Sequence, residues 1–171
     1  MSKLAIHGGP PVRTTPFPAY QTIGEEEKRA VMEVLDSGVL SSFLGNWLPE
    51  FYGGPRVQKL EREWAEYFGV KHVITVNSAT SGLNAAVGAS GVGPGDEVIV
   101  SPYTMSASAA CVLVYNAIPV FADIDPETFC ISAETIRQRL TPQTKAIVIV
   151  DIFGHPFDRD GVDPRTQPGG D

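Results

Sequence analysis

The residues best suited to chemistry sit side by side in Val76-Asn77-Ser78-Ala79-Thr80-Ser81-Gly82-Leu83. There a strand-like apolar run passes into a helix through small, hydroxyl-bearing residues. The first N–H groups of a helix have no intrahelical partner and lie at the positive end of its dipole. A phosphate docks at such a turn, bonded by those N–H groups and by nearby Ser or Thr hydroxyls. Ser78, Thr80 and Ser81 supply hydroxyls, while Ala79 and Gly82 leave room for close approach. Ser and Thr are also ordinary helix caps, and on this segment alone capping by Ser78 is the simpler account.

No competing constellation stands out. Gly88-Ala89-Ser90-Gly91-Val92-Gly93 closes a helix instead of following a strand, so it is no dinucleotide fingerprint. His7, His72 and His155 are too scattered to suggest a metal site. His155 follows an apolar strand, at the edge where α/β sheets bind ligands, yet a solvent-facing loop histidine is the plainer reading. Asp123 and Asp125 resemble a carboxylate pair, but their place between a strand and a turn suits capping, and no catalytic role is assigned to them.

The elements that must position the phosphate turn follow from the rhythm of the chain. Residues 1–21, rich in Pro and Gly, read as an extended arm. Thr22 and Glu25 have capping-box spacing ahead of a helix through about Ser37, with Gly38 as its stop. Ala30, Val31, Val34 and Leu35 share one face of it. After a Gly- and Ser-rich loop over 39–55, a helix over about 56–68 sets Val57, Leu60, Trp64 and Phe68 on one side, and Gly69 ends it. Strands are then expected over 73–76, 97–100, 119–122 and 145–150. Helices are expected over 79–89, 106–116 and from the cap Ser132 to Leu140. Continuous apolar strands alternating with helices predict an α/β fold with a mainly parallel sheet. The organisation is thus an arm over 1–21, a partial α/β domain over 22–160 and an irregular, polar, disordered tail over 161–171.

Composition narrows the partners. With 171 residues, 43% apolar and 19% charged, the chain is long enough to bury a core. A net charge of −7 without clustered Lys or Arg argues against nucleic acid. No apolar run approaches the ~20 residues of a membrane span, so no membrane partner is expected. Cys111 and Cys130, in apolar surroundings, suit a reduced cytoplasmic compartment.

Several blocks together carry a resemblance. Residues 76–83, then Gly93-Pro94-Gly95-Asp96-Glu97-Val98-Ile99, then Pro102-Tyr103-Thr104-Met105-Ser106-Ala107-Ser108 are similar, in order and spacing, to the DegT/DnrJ/EryC1/StrS aminotransferases. Residues 119–125 and 141–147 continue in register, and 8–13 and 57–69 resemble the family's N-terminal region, so the likeness spans about residues 4–160. It implies fold type I, an aspartate aminotransferase-like large domain, with pyridoxal 5'-phosphate as cofactor. It also implies amino transfer from a donor such as glutamate to a keto-sugar, usually nucleotide-linked, in polysaccharide or amino-sugar biosynthesis, by a homodimer. By register Ala79 and Thr80 fall on the Gly-Thr pair that holds the cofactor phosphate. Met105 falls where the family usually stacks an aromatic ring on the pyridine, and a thioether can also pack on a π-face.

The resemblance also implies a Schiff-base lysine and an aspartate on the pyridine nitrogen, both downstream of the matched region. Lys71 and Lys145 stand at the wrong places in the motif order and read as surface residues. The expectation is therefore a large domain incomplete at its C-terminus, from a gene truncated, frameshifted or incompletely assembled near codon 161, with no catalytic residue of its own. The alternatives are the family's dehydratase branch, in which histidine replaces the lysine, and a non-catalytic domain that binds a phosphorylated ligand or partner subunit. A fragment that does not fold stably is a third.

Overall fold

The computed structural model describes residues 3–162. Of the expected tail, residues 163–171 lie outside the described residues, while Gly161 and Val162 close a short helix. The chain divides into two compact units, one ending at Val73 and one beginning at Ile74.

The first unit carries the arm and two helices, α1 (Glu25–Ser37) and α2 (Pro55–Phe68). Glycines in left-handed backbone end both, Gly38 at φ +70° and Gly69 at φ +64°. The expected cap at Thr22 is corrected: Gly24 is the N-cap, and its N–H donates to the Glu27 carboxylate at 2.7 Å. Pro55 occupies the first turn of α2, where a missing N–H costs nothing. An ion pair joins Arg56 to Glu33. The apolar faces form as expected, but no residue of either helix is buried.

In the second unit α3 (Ala79–Ala89) precedes a sheet of β1 (Glu97–Val100), β2 (Ile118–Phe121) and β3 (Thr144–Val148). All pairs are parallel, in the order β2-β1-β3, with Val98 opposite Pro119 and Ala146. α4 (Ala107–Leu113) links β1 to β2, α5 (Ala133–Arg137) links β2 to β3, and α6 (Arg159–Val162) follows. Alternation splits the core by face. Val98 packs with Val87, Val92, Cys111 and Val112 from the α3–α4 side, while Ile99 packs with Ala122, Ile131 and Ile136 from the α5 side.

The expected strand over 73–76 is not part of this sheet. A strand is a property of a pair, and the ladders of this sheet pair β1 with β2 and β3 only. Tyr115, past the end of α4, crosses to α3 and donates its hydroxyl to the Asn84 carbonyl at 2.7 Å. Only a glycine permits that approach, because a Cβ at Gly88 would lie 2.3 Å from the Tyr115 oxygen.

Ile99 exposes none of its surface, so Ile99→Ala should cost about 2–5 kcal/mol of stability. The urea-unfolding midpoint of the variant reads this directly, and an unchanged midpoint would place Ile99 outside the core.

Candidate functional site

α3 opens on Ser78, whose extended backbone (φ −162°, ψ 159°) marks it as the N-cap. Its Oγ accepts the Ser81 N–H at 3.1 Å, and the Ser81 hydroxyl in turn donates to Asn77 Oδ1 at 2.6 Å. These two hydroxyls therefore hold the turn in shape. Capping leaves the N–H groups of Ala79 and Thr80 as the unsatisfied donors of the first turn. Both residues are exposed, and among the described residues the Thr80 hydroxyl makes no hydrogen bond. A Cβ added at Gly82 would meet the Val76 methyl at 3.5 Å, an ordinary packing distance.

The same edge of the sheet gathers the other groups. α3 runs into the N-terminal end of β1, so its own start lies at the opposite edge, beyond the C-terminal ends of the parallel strands, where α/β folds bind ligands. Residues 101–105 leave β1 there. The Ser101 hydroxyl accepts the Tyr103 N–H at 3.0 Å, and Thr104 Oγ1 and Ser108 Oγ lie 3.0 Å apart. Met105, at the end of this loop, is 77% exposed.

Three aromatic rings, given no role in the sequence reading, meet beside this loop. The Tyr103 ring centroid lies 5.7 Å from that of Phe129 and 6.2 Å from that of Phe153. Phe129 and Phe153 adopt left-handed backbone, at φ +62° and +53°. Nothing in their residue type signals this, since bulky side chains are outliers there.

Asp125 builds the turn that carries Phe129. Its Oδ1 accepts the N–H groups of Thr128 and Glu127, each at 2.9 Å, and those bonds hold its carboxyl below the ordinary carboxylate range. Asp123 accepts the Ile124 N–H at 2.8 Å. Both aspartates thus shape backbone, as their setting suggested. His155 is exposed, and so are Lys71 and Lys145. Cys111 and Cys130 are buried and unbridged, and burial pushes the Cys111 thiol up, away from reactivity. No group of three or more His, Cys, Asp or Glu that could hold a metal occurs among the described residues, and no described helix is long and apolar enough to cross a membrane.

A parallel sheet covered on both faces, with an anion-ready helix N-terminus at its C-terminal edge, is the large-domain architecture of the pyridoxal-phosphate-dependent transferases. The profile of the DegT/DnrJ/EryC1/StrS aminotransferase family matches residues 21–164, and the chain belongs to that family. Its cofactor is pyridoxal 5'-phosphate.

Among the relatives, the spore coat polysaccharide biosynthesis protein SpsC of Bacillus subtilis is 44% identical over 140 residues, 82% of this chain and 33% of that protein. The L-glutamine:2-deoxy-scyllo-inosose aminotransferase of Streptomyces fradiae is 38% identical over 165 residues, 95% of this chain and 37% of that protein. The structure of NtdA from Bacillus subtilis, with bound cofactor PMP, superposes with a TM-score of 0.70 at 31% identity, over 79% of this chain and 28% of that one. The chain spans about a third of the length of the curated relatives it matches.

Two outcomes follow from the local geometry. Ser78→Ala should remove the cap of α3 and cost about 1 kcal/mol, read from thermal or urea unfolding; no loss would mean that Ser78 does not cap α3. The Asp125 carboxyl is depressed in the fold, so its contribution is present above the unfolded value of about 3.9 and lost as pH falls through the folded value. An acid titration of the unfolding midpoint should therefore show a smaller loss below about pH 4 in Asp125→Asn, whose amide keeps the acceptor oxygen but does not titrate.

Proposed function

We propose that this chain provides the cofactor-phosphate side of a pyridoxal-phosphate-dependent aminotransferase acting on the keto group of a sugar or cyclitol. The observation that carries the reading is the division of labour at α3. Ser78 and Ser81 are spent on the cap, whereas the Ala79 and Thr80 N–H groups and the Thr80 hydroxyl stay available to a dianion. That donor set fits a phosphate monoester by count and by charge.

When bound, the cofactor supplies the electron sink through which an amino group passes between donor and acceptor. The residues of this chain bind and orient. Thr80 and Ala79 anchor the phosphate, and the Ser101–Tyr103 and Thr104–Ser108 hydrogen bonds fix the loop that presents Met105. Met105 lays an apolar thioether over the ring face and shields it from water. L-Glutamine or glutamate is the amino donor, and the acceptor is a cyclic ketone, free or nucleotide-linked. The working protein is a cytoplasmic homodimer. The donor and acceptor assignments draw support from the relatives, whose names specify L-glutamine, an inosose and polysaccharide biosynthesis.

Equilibrium dialysis of the chain with pyridoxal phosphate and with phosphate-free pyridoxal tests the reading. Thr80→Val should weaken binding of the phosphate ester by about tenfold, the scale of one hydrogen bond to a charged group, and leave pyridoxal unchanged. Equal affinity for the two compounds would sink it.

A further inference from the structure

Phe129 sits in left-handed backbone, which is costly for a bulky side chain and persists only where surrounding bonds impose it. Asp125 imposes it. Its Oδ1 accepts the N–H groups of Glu127 and Thr128 and, at 3.3 Å, the Thr128 hydroxyl. Its carbonyl accepts the Phe129 N–H at 2.8 Å, and its own N–H donates to the Cys130 carbonyl at 2.9 Å. The base of the turn is anchored in the core, because Ile124 bridges to Ile131, and Cys130 and Ile131 are both buried. The turn is thus a braced mount for the Phe129 ring.

That ring meets the loop that follows β1. Its centroid lies 5.7 Å from that of Tyr103, with the two planes 35° apart. Phe153 also reaches Tyr103, edge-on, but it is 81% exposed against 42% for Phe129, so Phe129 is the firmer brace. Tyr103 stands two residues before Met105. Met105 is largely exposed, so its direction depends on how the loop is held. Hydroxyls hold the loop from within, Ser101 on the Tyr103 N–H and Thr104 against Ser108. The Phe129 ring holds it from outside.

We propose that Asp125 is a positioning residue for the cofactor: acting through Phe129 and Tyr103, it sets the loop that presents Met105. Without the carboxylate oxygen the turn loses three hydrogen bonds. Phe129 then relaxes to ordinary backbone, its ring leaves Tyr103, and the loop loses its outer brace. The inference rests on the reading of Met105 as the residue that covers the cofactor ring.

The test is NMR of the 171-residue chain carrying 13C-methyl methionine, with the Met105 signal identified by Met105→Leu. The Met105 methyl signal should move in Asp125→Ala and in Phe129→Ala, and no further in the double variant, because both act on one relay. Asp125→Asn keeps the acceptor oxygen and should leave the signal in place. Pyridoxal phosphate should displace the wild-type signal on binding. Its affinity should fall about threefold in Asp125→Ala, the scale of one aromatic pair, and stay within about twofold of wild type in Asp125→Asn. Urea midpoints identify any variant that fails to fold, and Phe129→Ala carries the test if Asp125→Ala does. A lowered midpoint with the Met105 signal unmoved would make Asp125 a stabiliser of its own turn only and overturns the relay. So does Asp125→Asn behaving like Asp125→Ala. If the variants move the signal but pyridoxal phosphate does not, the relay stands and the cofactor reading of Met105 falls.

Discussion

Val98, Ile99 and Val100 expose none of their surface, and this burial of β1 on both faces fixes where everything else must go. A strand covered on two sides needs a neighbour on each edge and a helix layer above and below. β2 and β3 supply the edges, α3 and α4 one layer, and α5 the other. Parallel pairing then forces each connection to return across a face, so every strand delivers its following loop to the same edge. The convergence of residues 101–105, Phe129 and Phe153 is a result of that pairing.

At that edge two kinds of constraint meet. The start of α3 is ordered by side-chain hydrogen bonds among Asn77, Ser78 and Ser81. The aromatic turns are ordered by backbone bonds that hold Phe129 and Phe153 in costly conformations. The first leaves charge-seeking donors free and the second leaves apolar faces free. The turns also differ in what sustains them: the Phe129 turn depends on an ionised carboxylate, whereas the first turn of α3 uses neutral hydroxyls and an amide.

Much of this was legible in the sequence, for identifiable reasons. The unbroken run Glu97–Val100 and the turn before it announce a buried strand, and the small hydroxyl residues after Val76 announce the start of α3. Ser132 caps α5 as its spacing suggests, although the helix stops at Arg137 and not Leu140. The apolar run over 73–76 misleads, because apolar composition alone does not place a segment in this sheet, and Ile74 is 82% exposed. Thr22 misleads because a capping side chain lost to a glycine whose N–H pairs with Glu27. The positions of the Phe129 and Phe153 rings were out of reach. Left-handed backbone at an aromatic residue is imposed by bonds from elsewhere, and only Asp125 hints at them.

The crossing of Tyr115 over Gly88 carries a consequence for how this unit can vary. A methyl at position 88 would strike the tyrosine oxygen and ring, and the ring cannot swing aside without giving up its bond to the Asn84 carbonyl. The two positions are therefore epistatic, and the order of change matters. Tyr115 can shrink first, at the cost of a void and a bond, and only then is position 88 released to accept a side chain. The reverse order passes through a clash, so any lineage that fills position 88 is expected to carry a smaller residue at 115.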